Sequence, residues 1–477
     1  MTSIRKRILL LLSTGTACLL ISLASCERSA PADSAGRAIM VFEIDDSGLD
    51  EESKHGLAQR MTAILQKRVD PKGEYDLKWR AIPPNRIEVE LPLPSREMWK
   101  LRVEYDQAAE DLFSTSVTRS ELEAALKLTD AERDQTLAEL IHGIPEREQL
   151  ALRADEVFDT WVVVDKAYRA IQPDTQPTSR ASDLARELAV AEDALDDAIN
   201  EFLATSLDPE LFMQVLEMYE QSPVRKPILE EYKNLHPNLA DRIDNLIVKH
   251  KAWCDEAMFL DGPNALKKLL AGAGVLEFRI LTTNDPEHAV TYDRYRIQLE
   301  KYGPHPAPED ELGWFKLDNP LSFLDLASLK DLENFNPEHS RFVVHHLDYN
   351  YYVLAKLGSE HGLLVDGTWR LKNAYVDRDE RERPRVLFEL DAVGGGRFEE
   401  LTRQNINKPL CILVDDVAYS APTIKSKIRS KGAITGDFGM SKASYLAQTM
   451  QAGALPVRLR PEPVSVRIEL KPAQQGN

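Results

Sequence analysis

The sequence predicts an α+β fold interrupted by a long helical insertion, and three observations carry that prediction. Strand-like alternation marks both ends of the chain, at Ala38–Asp45 and again at Val464–Leu470. Residues 96–261 are rich in Glu, Ala, Leu, Arg and Asp, almost free of glycine, and repeat apolar residues at helical spacing. Residues 383–459 mix both periodicities, with glycine and proline as punctuation.

In chain order, Arg5, Lys6 and Arg7 precede an apolar run from Ile8 to Ala24, the pattern of a secretory signal. It ends in Leu23-Ala24-Ser25-Cys26, which resembles a bacterial lipobox and makes Cys26 the expected lipid-bearing residue of a signal spanning 1–26. An uncleaved signal anchor is the alternative. Residues 27–37 read as a tether. Leu49 to Val69 reads as one amphipathic helix with Leu57, Met61, Ile64 and Leu65 on one face. Leu77–Ile82 and Ile87–Leu91 read as a hairpin across Pro83-Pro84-Asn85. The helical insertion follows at 96–261, with Leu122, Leu126, Leu137 and Leu140 as one helix pair and Leu184, Leu188, Ala191 and Leu195 on a further helix. A second, aromatic-rich insertion covers 283–367 and holds a strand at Phe342–Leu347.

Within 383–459, Val386–Leu390 reads as a strand, and Gly394–Gly396 opens a helix carrying Phe398, Leu401 and Ile406. Leu410–Val414 is a continuous apolar run of strand length. Asp415-Asp416 turns it, Val417–Ser420 returns as its partner, and Pro422 ends the pairing. Ser441 is the expected N-cap of a helix bearing Ala443, Leu446, Ala447 and Met450, with Gly453 as its C-cap.

These residues resemble the first periplasmic domain of SecD, the accessory subunit of the Sec protein translocase. Phe398, Leu401-Thr402, Asn405, Lys408, Asp415, Ser420-Ala421-Pro422, Ile424, Ile434-Thr435-Gly436, Leu446-Ala447 and Gly453-Ala454-Leu455-Pro456 follow the order of that family's motifs. Near the N-terminus, Arg68, Val69, Gly73, Arg86, Ile87, Val89, Leu91 and Pro92 match a second set, and Glu277-Phe278-Arg279 a third. Asp70 replaces the family's Asn, and its opening glycine motif is absent. The resemblance implies a ferredoxin-like base built from 38–95, 262–282 and 439–477, with a small β-rich head at 368–438. It also implies a role in protein export. In the family this domain holds emerging preprotein beside the channel, and membrane helices couple a swing of the head to ion flow. No second run of eighteen apolar residues follows here, so the expectation is a module without an ion-conducting part.

The composition excludes some partners. The chain has 477 residues, enough for two or three domains, and a net charge of −19. That charge argues against a nucleic-acid partner. Four cysteines are too few for a disulfide scaffold, and Cys254 and Cys411 are expected as separately buried thiols.

No nucleophile elbow, zinc-protease motif or phosphate-binding loop occurs, so neither a catalytic residue nor a cofactor is expected. His345-His346-x-Asp348 would place its two imidazoles on opposite faces of a strand, which defeats joint metal ligation.

The expected partners are therefore unfolded preprotein or Sec translocase subunits, SecF-like or SecY-type, with a membrane reached through the N-terminal lipid. The expected location is the cell envelope, facing the periplasm. The alternative is a membrane-anchored scaffold, coiled-coil in character, that docks a partner through the helical insertion.

Overall fold

Alternation in β1 (Arg37–Glu43) puts Ala38, Met40 and Phe42 on one face, all buried. In the computed structural model they lie opposite Leu91, Val89 and Ile87 of β3 (Arg86–Pro92), which runs antiparallel to β1. The model describes residues 36–469 apart from 71–72, 74–75, 172–178, 257–262, 273, 286–288, 308, 348, 453–454, 456 and 461. Cys26, Gly453, Ala454 and Pro456 therefore lie outside the described residues. β2 (Lys78–Ile82) pairs with β3, and β14 (Ser465–Glu469) pairs with β1, giving the order β14-β1-β3-β2. Helix Leu57–Val69 separates β1 from β2, and helix Met440–Ala452 precedes β14. This β-α-β-β-α-β connectivity is the expected ferredoxin-like base. Leu57, Met61 and Leu65 cover the sheet together with Leu266, Leu269 and Leu270 of helix Pro263–Ala271. The single helix expected from Leu49 is instead two, Glu51–Lys54 and Leu57–Val69. Gly56, at φ +66°, breaks it in the left-handed region that glycine permits.

The largest difference from expectation concerns β4 (Leu276–Ile280). It does not join the base sheet; it pairs antiparallel with β11 (Leu410–Val414), Phe278 opposite Ile412. All five residues of β11 are buried, so it needs a neighbour on each side. β12 (Val417–Ser420) supplies the other. Beyond β12 the aromatic-rich stretch adds β5 (Leu312–Leu317), parallel to β12, then β7 (Asn350–Lys356) and β6 (Val344–Leu347). With β8 (Gly362–Leu363) the order is β6-β7-β5-β12-β11-β4-β8. Residues 283–367 thus extend the same sheet rather than forming a separate body, because Trp314, Phe315, Val353 and Leu354 find their burial there.

A third sheet, β13-β10-β9, holds Lys431–Ile434, Pro384–Leu390 and Leu371–Arg378. Its Val386, Phe388 and Leu390 face Phe278 and Ile412 of the seven-stranded sheet across one core. Helix Ala392–Gln404 carries Phe398 into that core, capped by the Asp391 carboxylate accepting from the Gly394 amide at 2.8 Å. Helix Met440–Ala452 closes the core with Ala443, Leu446, Ala447 and Met450. Ser441 lies inside this helix rather than at its cap. The chain is an α+β protein, as expected.

The insertion runs through eight helices from Arg96 to Glu256 among the described residues, around two cores rather than one. One core joins the hairpin of Pro145–Arg169 and Ser179–Leu203 to Leu122, Leu126, Leu137 and Leu140. At its root the fully buried Arg147 guanidinium donates to Thr205 Oγ1, Ser206 Oγ and the carbonyls of Thr115, Leu140 and Thr205. Burial pulls Arg147 down to about 10. The other core packs Leu211, Phe212 and Val215 against Leu321, Leu329 and Leu332.

Asp208 caps helix Pro209–Leu216, accepting from the Leu211 amide at 2.9 Å, and burial pushes its carboxyl up to about 8. A raised folded-state value means Asp208 takes up a proton on folding between about pH 4 and 8, so its contribution is lost as pH rises through that window. Asp208→Asn keeps the cap and removes the titration. Urea midpoints of the two proteins should coincide near pH 4 and favour the variant at pH 8.

Candidate functional site

Two of the expected motif residues, Arg68 and Asp415, meet one face of helix Met440–Ala452. Lys442, Tyr445 and Thr449 are spaced three and four residues apart and so share that face. The opposite, apolar face is buried in the core of the sheets.

Asp415 meets this face from the turn after β11. Asp415 and Asp416 have φ of 53° and 65°, both left-handed, the geometry of a two-residue hairpin turn matched to strand twist. Asp415 donates its amide to the Val275 carbonyl at 2.9 Å, and its carboxylate accepts from the Val275 amide at 2.9 Å. Gly272 makes the close approach possible: a Cβ there would lie 2.9 Å from Asp415 Oδ2 and 3.2 Å from the Tyr445 hydroxyl. Among the described residues Asp416 makes an exposed pair with Arg458, worth little. Asp416→Gly should therefore raise stability by about 0.5 kcal/mol, read as an increase in Tm.

Arg68 comes from the base helix. It is 3 % exposed, its guanidinium has no hydrogen-bond partner among the described residues, and Asp415 is its principal countercharge. Burial pulls Arg68 down against the pull of Asp415, and burial raises the Asp415 carboxyl against the Val275 amide and Arg68. Two motif residues more than three hundred positions apart in sequence thus share one buried junction.

A second junction lies at Lys442, one turn before Tyr445 on the same helix face. Lys442 Nζ is 2.7 Å from Asp318 and 3.7 Å from Glu217 of the insertion. Burial acts to lower the Lys442 ammonium, but Asp318 and Glu217 outweigh it, and the net direction is upward. Burial raises Asp318 more than Lys442 lowers it. Tyr419 of β12 sits between the two junctions; burial, then Asp318, Tyr445 and Asp415, push its hydroxyl well up. A cavity of about 10 Å³, room for one water molecule, is lined here by Gln214, Glu217, Asp318, Tyr419, Asp437 and Lys442. Buried acceptors Gln214 Oε1 and Asp437 Oδ1 have no protein donor among the described residues. The arrangement is a buried polar seam joining base, sheet, helix and insertion.

The remaining expected positions are distributed around this seam. Phe398 and Phe278 meet in the shared core with ring centroids 4.5 Å apart and ring planes tilted by 45°. Glu277 and Arg279 pair at 2.8 Å, and Arg279 lies over the Phe315 ring at 5.1 Å. Ser420 and Ala421 follow Tyr419 at the end of β12, and the Pro422 carbonyl accepts from the Leu410 amide, so Pro422 continues the pairing it was expected to end. Ile434 ends β13, Thr435 and Gly436 begin the connector to helix Met440–Ala452, and Leu455 is buried in the base core. Gly73 has φ +71° in the loop before β2.

His345 pairs with Glu300 at 3.1 Å while His346 stacks on Tyr351. Among the described residues no three His, Cys, Asp or Glu side chains form a metal-ligand group. Cys411 is buried as expected; Cys254 is exposed, 3.4 Å from His250 Nε2. Lys442, Asp318 and Glu217 were not anticipated. Lys442 as the one charged residue in helix Met440–Ala452 was the signal available.

The geometry defines a class, an α+β module crossed by a buried polar seam, and comparison with known proteins shows what it is similar to. Residues 357–457 match the SecDF P1 head subdomain. The protein translocase subunit SecD of Leptotrichia buccalis is 44 % identical over 106 residues, 22 % of this chain and 26 % of that subunit. SecD of Endomicrobium trichonymphae is 30 % identical over 202 residues, 42 % of this chain and 37 % of the relative. The matched stretches thus span about a quarter to a third of these relatives' length. Among solved structures, SecDF in a super-membrane-facing form covers 93 % of this chain at 16 % identity, with 32 % of its own length covered and a TM-score of 0.33. A second, described as a membrane component that enhances protein export, covers 44 % of this chain at 25 % identity, with 76 % of its own length covered and a TM-score of 0.26. The resemblance to SecD is one of sequence and rests on the matched stretches alone. No described helix is long and apolar enough to cross a membrane.

Proposed function

We propose that this chain is an extracytoplasmic accessory module in protein export, binding emerging preprotein or subunits of the Sec translocase. The observation that carries this reading is the match of residues 357–457 to the SecDF P1 head subdomain, supported by 44 % identity to a translocase subunit. Two motif pairs support it further: Arg68 of the base helix has Asp415 as its principal countercharge, and Phe278 and Phe398 share one apolar core. In this reading Cys26 carries a lipid that tethers the module to the membrane, which provides attachment and no energy.

A second reading, a scaffold that docks a partner through the insertion, is favoured by one feature. Leu152, Val163 and Val190 on the helix hairpin are 65 %, 67 % and 68 % exposed.

Photo-crosslinking in cells separates the two. A probe at Tyr375, exposed on β9, should capture nascent exported chains or translocase subunits. Capture from a probe at Val190 alone, of a protein unconnected with secretion, would replace the export reading with the scaffold.

A further inference from the structure

The chain leaves β13 at Ile434 and enters the closing helix at Met440, and the residues between them are held from outside. The holder is the turn that follows insertion helix Pro209–Leu216. Met218 forms a β-bridge with Phe438. The Tyr219 amide donates to the Asp437 carbonyl at 3.3 Å, and the Gly439 amide donates to the Glu217 carbonyl at 3.1 Å. The Ser222 hydroxyl donates to the Asp437 carboxylate, and the Asp437 amide donates to Ser322 Oγ at 3.1 Å. The contact is close: a Cβ on Gly439 would lie 3.3 Å from the Glu217 carbonyl. Phe438 itself is buried in the core of the three-stranded sheet. One helical turn on, Lys442 reaches back to Glu217.

We infer that the helical insertion is an intrachain clamp on the connector 435–439. It fixes the orientation of the three-stranded sheet against its closing helix. Short connectors with few apolar contacts of their own open at low free energy. This connector has backbone and side-chain partners more than two hundred residues away in sequence. The clamp is continuous with the rest of the insertion, because helix Pro209–Leu216 is almost wholly buried in the second insertion core. Anything that displaces that core displaces residues 217–222 and releases the connector. The inference does not depend on the export reading, since it concerns contacts within the chain.

Hydrogen exchange on the full chain tests it. Ser222→Ala with Asp437→Ala removes the charge-assisted bond, and exchange of the amides at 435–439 should rise about tenfold while β10 and β11 keep their protection. Unchanged exchange at 435–439 would overturn the clamp. So would an equal rise across β10 and β11, which would make the insertion a general stabiliser only. If the double variant does not fold, Ser222→Ala alone is read against the same two outcomes.

Discussion

Phe278→Ala is expected to cost about 4 kcal/mol, measured as a lowered urea midpoint. Phe278 is fully buried on β4 of the seven-stranded sheet. Its ring meets Phe398 at 4.5 Å and Phe388 at 5.3 Å, and so connects one sheet to the helix and strand of the other. Truncation removes the transfer free energy of the ring and leaves a cavity between two elements that cannot collapse together without moving both backbones. A loss of this size is a large fraction of the 5–15 kcal/mol typical of a folded domain. Phe278→Leu, which keeps most of the volume, should cost about 1–2 kcal/mol. A cost under about 1 kcal/mol for the alanine variant would mean that the two sheets do not depend on this contact.

Lys442→Met is expected to cost about 3 kcal/mol, because it leaves Asp318 enclosed beside Glu217 without its ammonium. Adding Asp318→Asn should recover part of the loss, since the surviving charge is then gone too. The defect should depend on pH. Burial already holds the Asp318 carboxyl above its ordinary value, and removing Lys442 raises it further. A carboxyl raised on folding binds its proton more tightly in the folded state, so stability falls as pH rises from the unfolded value through the folded one. The single variant should therefore be least impaired near pH 4 and most impaired at pH 8. Thermal melts at the two pH values, with and without Asp318→Asn, read this directly. An equal defect at both would show that Lys442 acts through packing alone.

Much of this was legible from residues whose environment is local. The alternation of Ala38, Met40 and Phe42 and of Ile87, Val89 and Leu91 gives the base sheet, and the helical spacing of Leu122, Leu126, Leu137 and Leu140 gives part of the insertion. The glycines Gly394–Gly396 marked a helix whose start lies slightly earlier, at Ala392 behind the Asp391 cap. What escaped is what depends on distant partners. Leu276–Ile280 reads as a strand, but nothing in those five residues says whether β1 or β11 lies beside it; the wholly apolar β11 decided that. Met218 and Ser222 carry no pattern, and their role follows only from where the insertion returns to the sheet. Arg68 and Asp415 were visible as motif residues, yet nothing in either segment says that they meet; the close packing around Asp415 depends on Gly272, whose missing side chain makes the room. Lys442 stood out only as the one charged residue of its helix, and Asp318 is ordinary in its own segment; each acquires its meaning from the other.

The export role is tested most directly by pulse-chase labelling of secreted preproteins in cells lacking this chain. Maturation and release of exported proteins should slow, and should be restored by the wild-type chain and not by Phe278→Ala. Export at the same rate with and without the chain would contradict the export role.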